Sequence, residues 1–166
     1  MMNYESLIEE ALMQMPKGAF LTTGDTPNVM TIGWCQFGIV WGKPVCTVFV
    51  RESRFSHECI KHGYFTVSVP ENGTMTEALK GCASCSGRDI NKLEKFSLEL
   101  MPHKSENAVD GIKGCSIFFE CKVISQTEMD VNSTDNTILN HHYIEVNGKK
   151  DMHTIYFGEI LNCYKA

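Results

Sequence analysis

Pro44-Val45-Cys46-Thr47-Val48-Phe49-Val50-Arg51, running on into Glu52-Ser53-Arg54-Phe55-Ser56-His57, is the stretch on which the fold turns. Its first half is rich in β-branched and aromatic residues, which suit a pleated, half-buried strand. Ser53 then reads as the N-cap of a helix through residue 62, with Phe55, Cys59 and Ile60 on one face and Gly63 at its end. A strand feeding a helix could open a parallel βαβ sheet, but the flanking segments do not continue the alternation. Residues 4–15 carry Leu7, Ile8, Ala11, Leu12 and Met15 at helical spacing, stopped by Pro16. Residues 18–23 and 29–36 flank the turn cluster at 24–28 and predict a hairpin. Downstream, 64–69 is a strand closed by Pro70, 74–80 a helix, 81–89 a small-residue loop, and a short helical piece ends at Phe96. Residues 115–124 alternate, with Cys115, Ile117, Phe119, Cys121 and Val123 on one face and Ser116, Glu120 and Lys122 on the other. Strands at 140–146 and 153–163, joined by the Asn147-Gly148 turn, complete the set. Irregularly spaced strands with inserted helices predict a mainly β chain: an antiparallel barrel with peripheral helices, in one domain over residues 1–166.

Composition narrows the function classes. The chain has 166 residues, with 15 Lys and Arg against 20 Asp and Glu, so its formal charge is −5. Nucleic acid and anionic membrane surfaces need clustered positive potential, and neither is an expected partner. The first ten residues are acidic and lack the basic and apolar regions of a signal peptide, and no window reaches the length of a membrane span. The expected compartment is the reducing cytoplasm, where the eight cysteines stay thiols. No Gly-x-Gly-x-x-Gly follows a strand, Gly38 to Lys43 is too short for a P-loop, and no Gly-x-Ser-x-Gly or His-Glu-x-x-His occurs.

Three stretches carry candidate chemistry. A helix opening at Ser53 would offer unpaired N–H groups to an anion, with hydroxyls at Ser53 and Ser56 and charge from Arg51 and Arg54. The chain has only three arginines, and two flank this turn. The loop Cys82-Ala83-Ser84-Cys85-Ser86-Gly87-Arg88-Asp89 holds the third, with Lys92 nearby, and its small residues permit close backbone approach to a ligand. Cys82 and Cys85 lack the second pair that structural zinc needs, so no metal is expected. Asn28-Val29-Met30-Thr31-Ile32-Gly33-Trp34 mixes polar groups and an aromatic, suited to a flat heteroaromatic ring, and His153 opens the last strand.

Taken in order, these segments resemble the flavin reductase-like family with the FMN-binding split β-barrel. The marks are Met15-Pro16-Lys17-Gly18, the 28–34 segment, Val50 to Ser56, Phe65 to Pro70, Ser86-Gly87-Arg88-Asp89 with Lys92, and His153 to Ile160. The resemblance implies a homodimer with one FMN per subunit near the dimer interface. By position, Arg51, Ser53, Arg54 and Ser56 would hold the phosphate. Asn28, Met30, Thr31 and Trp34 would line the isoalloxazine with the backbone at Val48 and Val50. Ser84, Ser86, Gly87 and Lys92 would close over the cofactor, and His153 would approach the ring. The implied activity is NAD(P)H:flavin oxidoreduction with NADH or NADPH as donor; the alternative is a flavoredoxin-like electron carrier serving a redox partner protein. A cofactor that carries the electron chemistry itself explains the missing catalytic triad. One departure stands out: many relatives have Gly-Asp-His before the last strand, where this chain has Asp151-Met152-His153.

Overall fold

The computed structural model describes residues 4–166. Helix α1 (Tyr4–Gln14) is followed by strands β1 (Ala19–Thr23), β2 (Asn28–Ile32), β3 (Cys35–Val40) and β4 (Lys43–Arg51). Then come α2 (Phe55–Cys59), β5 (Tyr64–Val69), α3 (Thr76–Ser84), α4 (Lys92–Lys95), and the short β6 (Leu100–Met101) and β7 (Gly111–Ile112). The long β8 (Ile117–Glu128) leads to α5 (Asn136–His142), a small hairpin of β9 (Glu145–Val146) and β10 (Lys149–Lys150), and β11 (His153–Lys165). Seven strands form one sheet in the order β2-β1-β5-β8-β11-β4-β3, with every neighbouring pair antiparallel.

The edge strands β2 and β3 are consecutive in the chain yet lie at opposite ends of that order. Laid flat, seven strands at about 4.8 Å spacing would separate their edges by nearly 30 Å. Instead, Met30 and Ile32 of β2 share one buried core with Cys46, Val48 and Val50 of β4, together with Leu21, Phe65, Val67, Phe119, Cys121, Tyr156 and Ile160. The sheet is therefore rolled around its core, but among the described residues no β2–β3 pairing closes it. The predicted mainly β architecture holds, as an open barrel with a seam. A second cluster, Phe20, Val29, Leu79, Cys82, Ile112, Cys115 and Phe118, seats α3 and the 93–101 segment on the outer face.

Several local expectations change. The single extended segment at 29–36 is two strands broken at Gly33-Trp34, because the chain there leaves one edge and joins the other. Helix α3 runs on to Ser84, so the loop expected from residue 81 begins at Cys85. The strand expected at 140–146 is helical through His142, where Asp135 caps α5 through the Thr137 N–H; the Asn147-Gly148 turn is present. Glu120, on the polar face of β8, is fully buried. The 102–110 segment covers it, and its carboxylate accepts from the backbone N–H groups of Lys104 and Ser105, both at 2.7 Å, and from the Tyr164 hydroxyl at 3.0 Å. A buried carboxylate is tolerated there because its lone pairs are used.

Gly158 sits at a bulge between β11 and β8, where a Cβ would stand 2.3 Å from Cζ of Phe65 and 2.9 Å from Cβ of Cys121. Gly158→Ala therefore overpacks a filled core and should cost about 1–3 kcal/mol, read as an earlier midpoint in urea or thermal denaturation.

Candidate functional site

The largest set of candidate residues meets in a cavity of about 450 Å³. Asn28 and Met30 come from β2, Arg51 from the end of β4, Ser53 and Arg54 from the turn after it, Ser56 from α2, Ser84 from the end of α3, and Ser86, Gly87 and Lys92 from the loop and α4 beyond. An adjoining cavity of about 160 Å³ is lined by Thr31, Gly33, Trp34, Phe49 and His153, and shares Met30, Arg51 and Arg54 with the first. The sequence pattern thus brought together groups up to 125 positions apart, from Asn28 to His153. Val48 and Val50 are fully buried in the core, so only their backbone can face the seam. Pairing of β3 with β4 stops at Cys35 and Val48, which leaves Phe49 to Arg51 without a strand partner on that side.

The turn at Ser53 differs from its sequence reading. Ser53 does not cap α2: the helix is five residues long, and Arg54 precedes it in extended conformation without a side-chain cap. A helix this short contributes little dipole, so anion selectivity falls to the side chains. The Ser53 hydroxyl and N–H instead donate to the Asp151 carboxylate at 2.7 and 3.2 Å. Arg51 donates to the carbonyls of Asp151 at 3.1 Å and His142 at 2.7 Å, and its guanidinium lies 5.1 Å from the Tyr143 ring centroid. Arg54 spends one N–H on the Ala83 carbonyl at 2.8 Å, tying the turn to α3. Asn28 donates to Ser56 Oγ at 2.7 Å, which leaves that hydroxyl's own proton for another acceptor. Thr31 is already committed, donating to the Leu79 carbonyl at 2.6 Å. Lys92 is buried and donates to the Cys82 carbonyl at 3.0 Å; burial lowers its pKa, and the nearby Arg54 charge acts the same way. At Gly87 a Cβ would stand 2.0 Å from Oδ1 of Asn28, so a larger residue there must displace the Asn28 side chain and its hydrogen bond to Ser56.

Around the smaller cavity the walls are aromatic. Trp34 lies 4.9 Å from His153 and 5.2 Å from His142, ring centre to ring centre, with Phe49 6.3 Å from His153. His153 Nδ1 shares a 2.9 Å hydrogen bond with the Tyr143 hydroxyl. Sequence reasoning missed Asp151, Phe55, and Ile144 and Val146 of the strap before β11, all of which line the larger cavity. Only Asp151 left a signal, in the Asp151-Met152-His153 run set apart before the last strand.

The family model described as a flavin reductase like domain matches residues 12–166. The chain belongs to the flavin reductase-like family. It is similar in structure to a flavoredoxin from Methanosarcina acetivorans, at 22% identity and TM-score 0.66 over 90% of this chain and 68% of that one. An NADH:FAD oxidoreductase of Streptomyces globisporus matches at 18% identity and TM-score 0.61, over 90% and 75%. The FMN-binding domain of a flavin reductases-like enzyme from Shewanella baltica matches at 20% and 0.62, over 94% and 74%. At such identities these likenesses carry the fold. An uncharacterized protein of Archaeoglobus fulgidus is 34% identical over 105 residues, which is 63% of this chain and 58% of that relative. No described helix is long and apolar enough to cross a membrane, and no described group of three or more His, Cys, Asp or Glu could hold a metal ion.

Burial, helped by the Arg51 charge, lowers the His153 pKa from 6.5 to about 4. A depressed histidine is neutral in the native state while the unfolded chain protonates, so its contribution is present above pH 6.5 and lost as pH falls toward 4. The melting temperature should fall across that window, and His153→Gln should flatten the slope.

Proposed function

We propose that the chain binds FMN across this pair of cavities and acts as an NAD(P)H:flavin oxidoreductase, passing reducing equivalents to an acceptor. The observation that carries the reading is the division of one continuous site into a cationic, hydroxyl-rich end and an aromatic end, joined through Met30, Arg51 and Arg54. The larger cavity falls within the range of about 300–1,000 Å³ usual for cofactor pockets. The residues fit a phosphate: an oxyanion, the Asp151 carboxylate, already sits on the Ser53 N–H and hydroxyl. Arg51, Ser53, Arg54 and Ser56 would hold the phosphate, and Ser84, Ser86, Gly87 and Lys92 would close over the cofactor. Asn28, Met30, Thr31 and Trp34 would flank the ring, with main chain at Val48 to Val50 along its edge and His153 beyond. Bound FMN supplies the hydride and electron exchange that none of these side chains provides. The protein's part is to orient the ring, exclude water with Trp34 and Phe49, and keep His153 uncharged beside it at neutral pH. A second copy of the chain is part of this reading. Trp34, Ile39 and Trp41 on or beside edge strand β3 are 40%, 62% and 65% exposed, an apolar strip suited to burial in a dimer.

A flavoredoxin-like electron carrier is the second reading. Once a flavin ring takes the aromatic end, the cavity between Trp34 and His153, at about 160 Å³, has no further room for a nicotinamide beside it. Anaerobic mixing of the FMN-loaded protein with NADH and with NADPH separates the two: bleaching of the flavin band supports the reductase, and no bleaching with either supports the carrier. Colourless protein whose addition leaves FMN fluorescence unchanged would sink both. Arg54→Ala should weaken FMN about ten- to a hundredfold, as expected for one charge-assisted hydrogen bond, while riboflavin changes little; fluorescence titration with each flavin measures it.

A further inference from the structure

Asp151 is the one carboxylate lining the larger cavity, among Arg51, Arg54 and Lys92. It is 7% exposed, and both its oxygens are engaged: Oδ1 by the Ser53 N–H at 3.2 Å, Oδ2 by the Ser53 hydroxyl at 2.7 Å, with Arg51 Nη1 3.9 Å from Oδ2. Ser53 and Arg51 are two of the groups assigned to the phosphate above. The carboxylate reaches them because Asp151 ends the strap after α5: its N–H donates to the Ile144 carbonyl at 3.0 Å, and Glu52 N–H donates to Met152 O at 3.2 Å. Two anions cannot share the same few donors without strong repulsion.

We propose that Asp151 is an internal competitor for the phosphate of the cofactor, so that a phosphorylated flavin binds only by expelling the Asp151 carboxylate from Ser53 and displacing the strap that carries it. The residue thereby sets how far this site favours FMN over riboflavin. The proposal rests on the FMN reading. It also links the two ends of the site, since the same strap carries Tyr143, the hydrogen-bond partner of His153, and Ile144 and Val146 in the cavity wall.

The test is paired titration of FMN and riboflavin into the wild type and Asp151→Asn. Asparagine is close in shape, can still accept from the Ser53 N–H, and removes the charge. Competition predicts that FMN tightens by about tenfold or more on removal of one adjacent like charge, while riboflavin is unchanged. A strap-anchoring role alone predicts that both flavins shift together, and that result, or weaker FMN binding, would overturn the proposal. Hydrogen exchange on the wild type gives a second measurement independent of any variant. FMN should raise exchange of the amides at 144–152 and riboflavin should not; equal protection by both flavins contradicts expulsion. Failure of the wild type to bind either flavin would overturn the FMN reading and this one together. FMN binding with an unaltered FMN-to-riboflavin ratio in Asp151→Asn removes only the role of Asp151.

Discussion

Buried backbone groups must find hydrogen-bond partners, and at Gly33-Trp34 the chain changes which edge of the sheet supplies them. Up to Ile32 the strand is paired with β1; from Cys35 it is paired with β4 at the opposite edge. The sheet must roll to let a two-residue link bridge its two ends. Rolling leaves the seam open where β2 passes the last residues of β4, with Phe49 to Arg51 lacking a strand neighbour there. The site lies along that seam. Trp34 is on the link itself, Arg51 ends the strand on one side, and Asn28 and Met30 stand on the other. Strand β11 fixes the remaining wall, because its long pairing with β4 and β8 sets His153 opposite Arg51.

How much of this the sequence disclosed depended on the range of the interactions involved. Alternation and β-branched or aromatic content marked β4, β5, β8 and β11, since each carries apolar residues on at least one face whatever its neighbours. The 28–34 segment and the Arg51–Ser56 turn were legible as site material from residue type alone. The break at Gly33-Trp34 was not, because apolar and extended residues continue through it and only the identity of the pairing partner changes. Glu120 misled for a related reason: its burial is imposed by the 102–110 segment, which is irregular in structure and carries no periodic pattern to announce the contact. Ser53 had the right chemistry for a cap, yet Asp151 claims its hydroxyl from 98 residues away.

The cysteines illustrate the same dependence on environment. The eight cysteines are thiols, and Cys46, Cys82, Cys115, Cys121 and Cys163 are buried. Burial pushes the Cys82 thiol up to about 11 and that of Cys115 to about 12. Groups held this firmly in the thiol form behave as small hydrophobes and not as nucleophiles. Cys85 differs in position: it lies past the end of α3, faces the larger cavity, and has the Lys95 ammonium 3.9 Å from its sulfur. The Cys82 and Cys85 pair is therefore split between an inert core position and a cavity wall.

The cavity's charge arrangement draws these strands together. Arg51, Arg54 and Lys92 are oriented by carbonyls of His142, Asp151, Ala83 and Cys82. Carbonyls neutralise none of that charge, so three cations face one space with a single carboxylate among them. Mutual repulsion and desolvation both disfavour such an arrangement, and the depressed pKa of Lys92 registers that cost. An anion of higher charge than a carboxylate would relieve it further, and the competition proposed for Asp151 rests on that difference. In this chain the Asp151 carboxylate holds the Ser53 donors in place, and on the competition proposed above the position of the strap would depend on which anion occupies them.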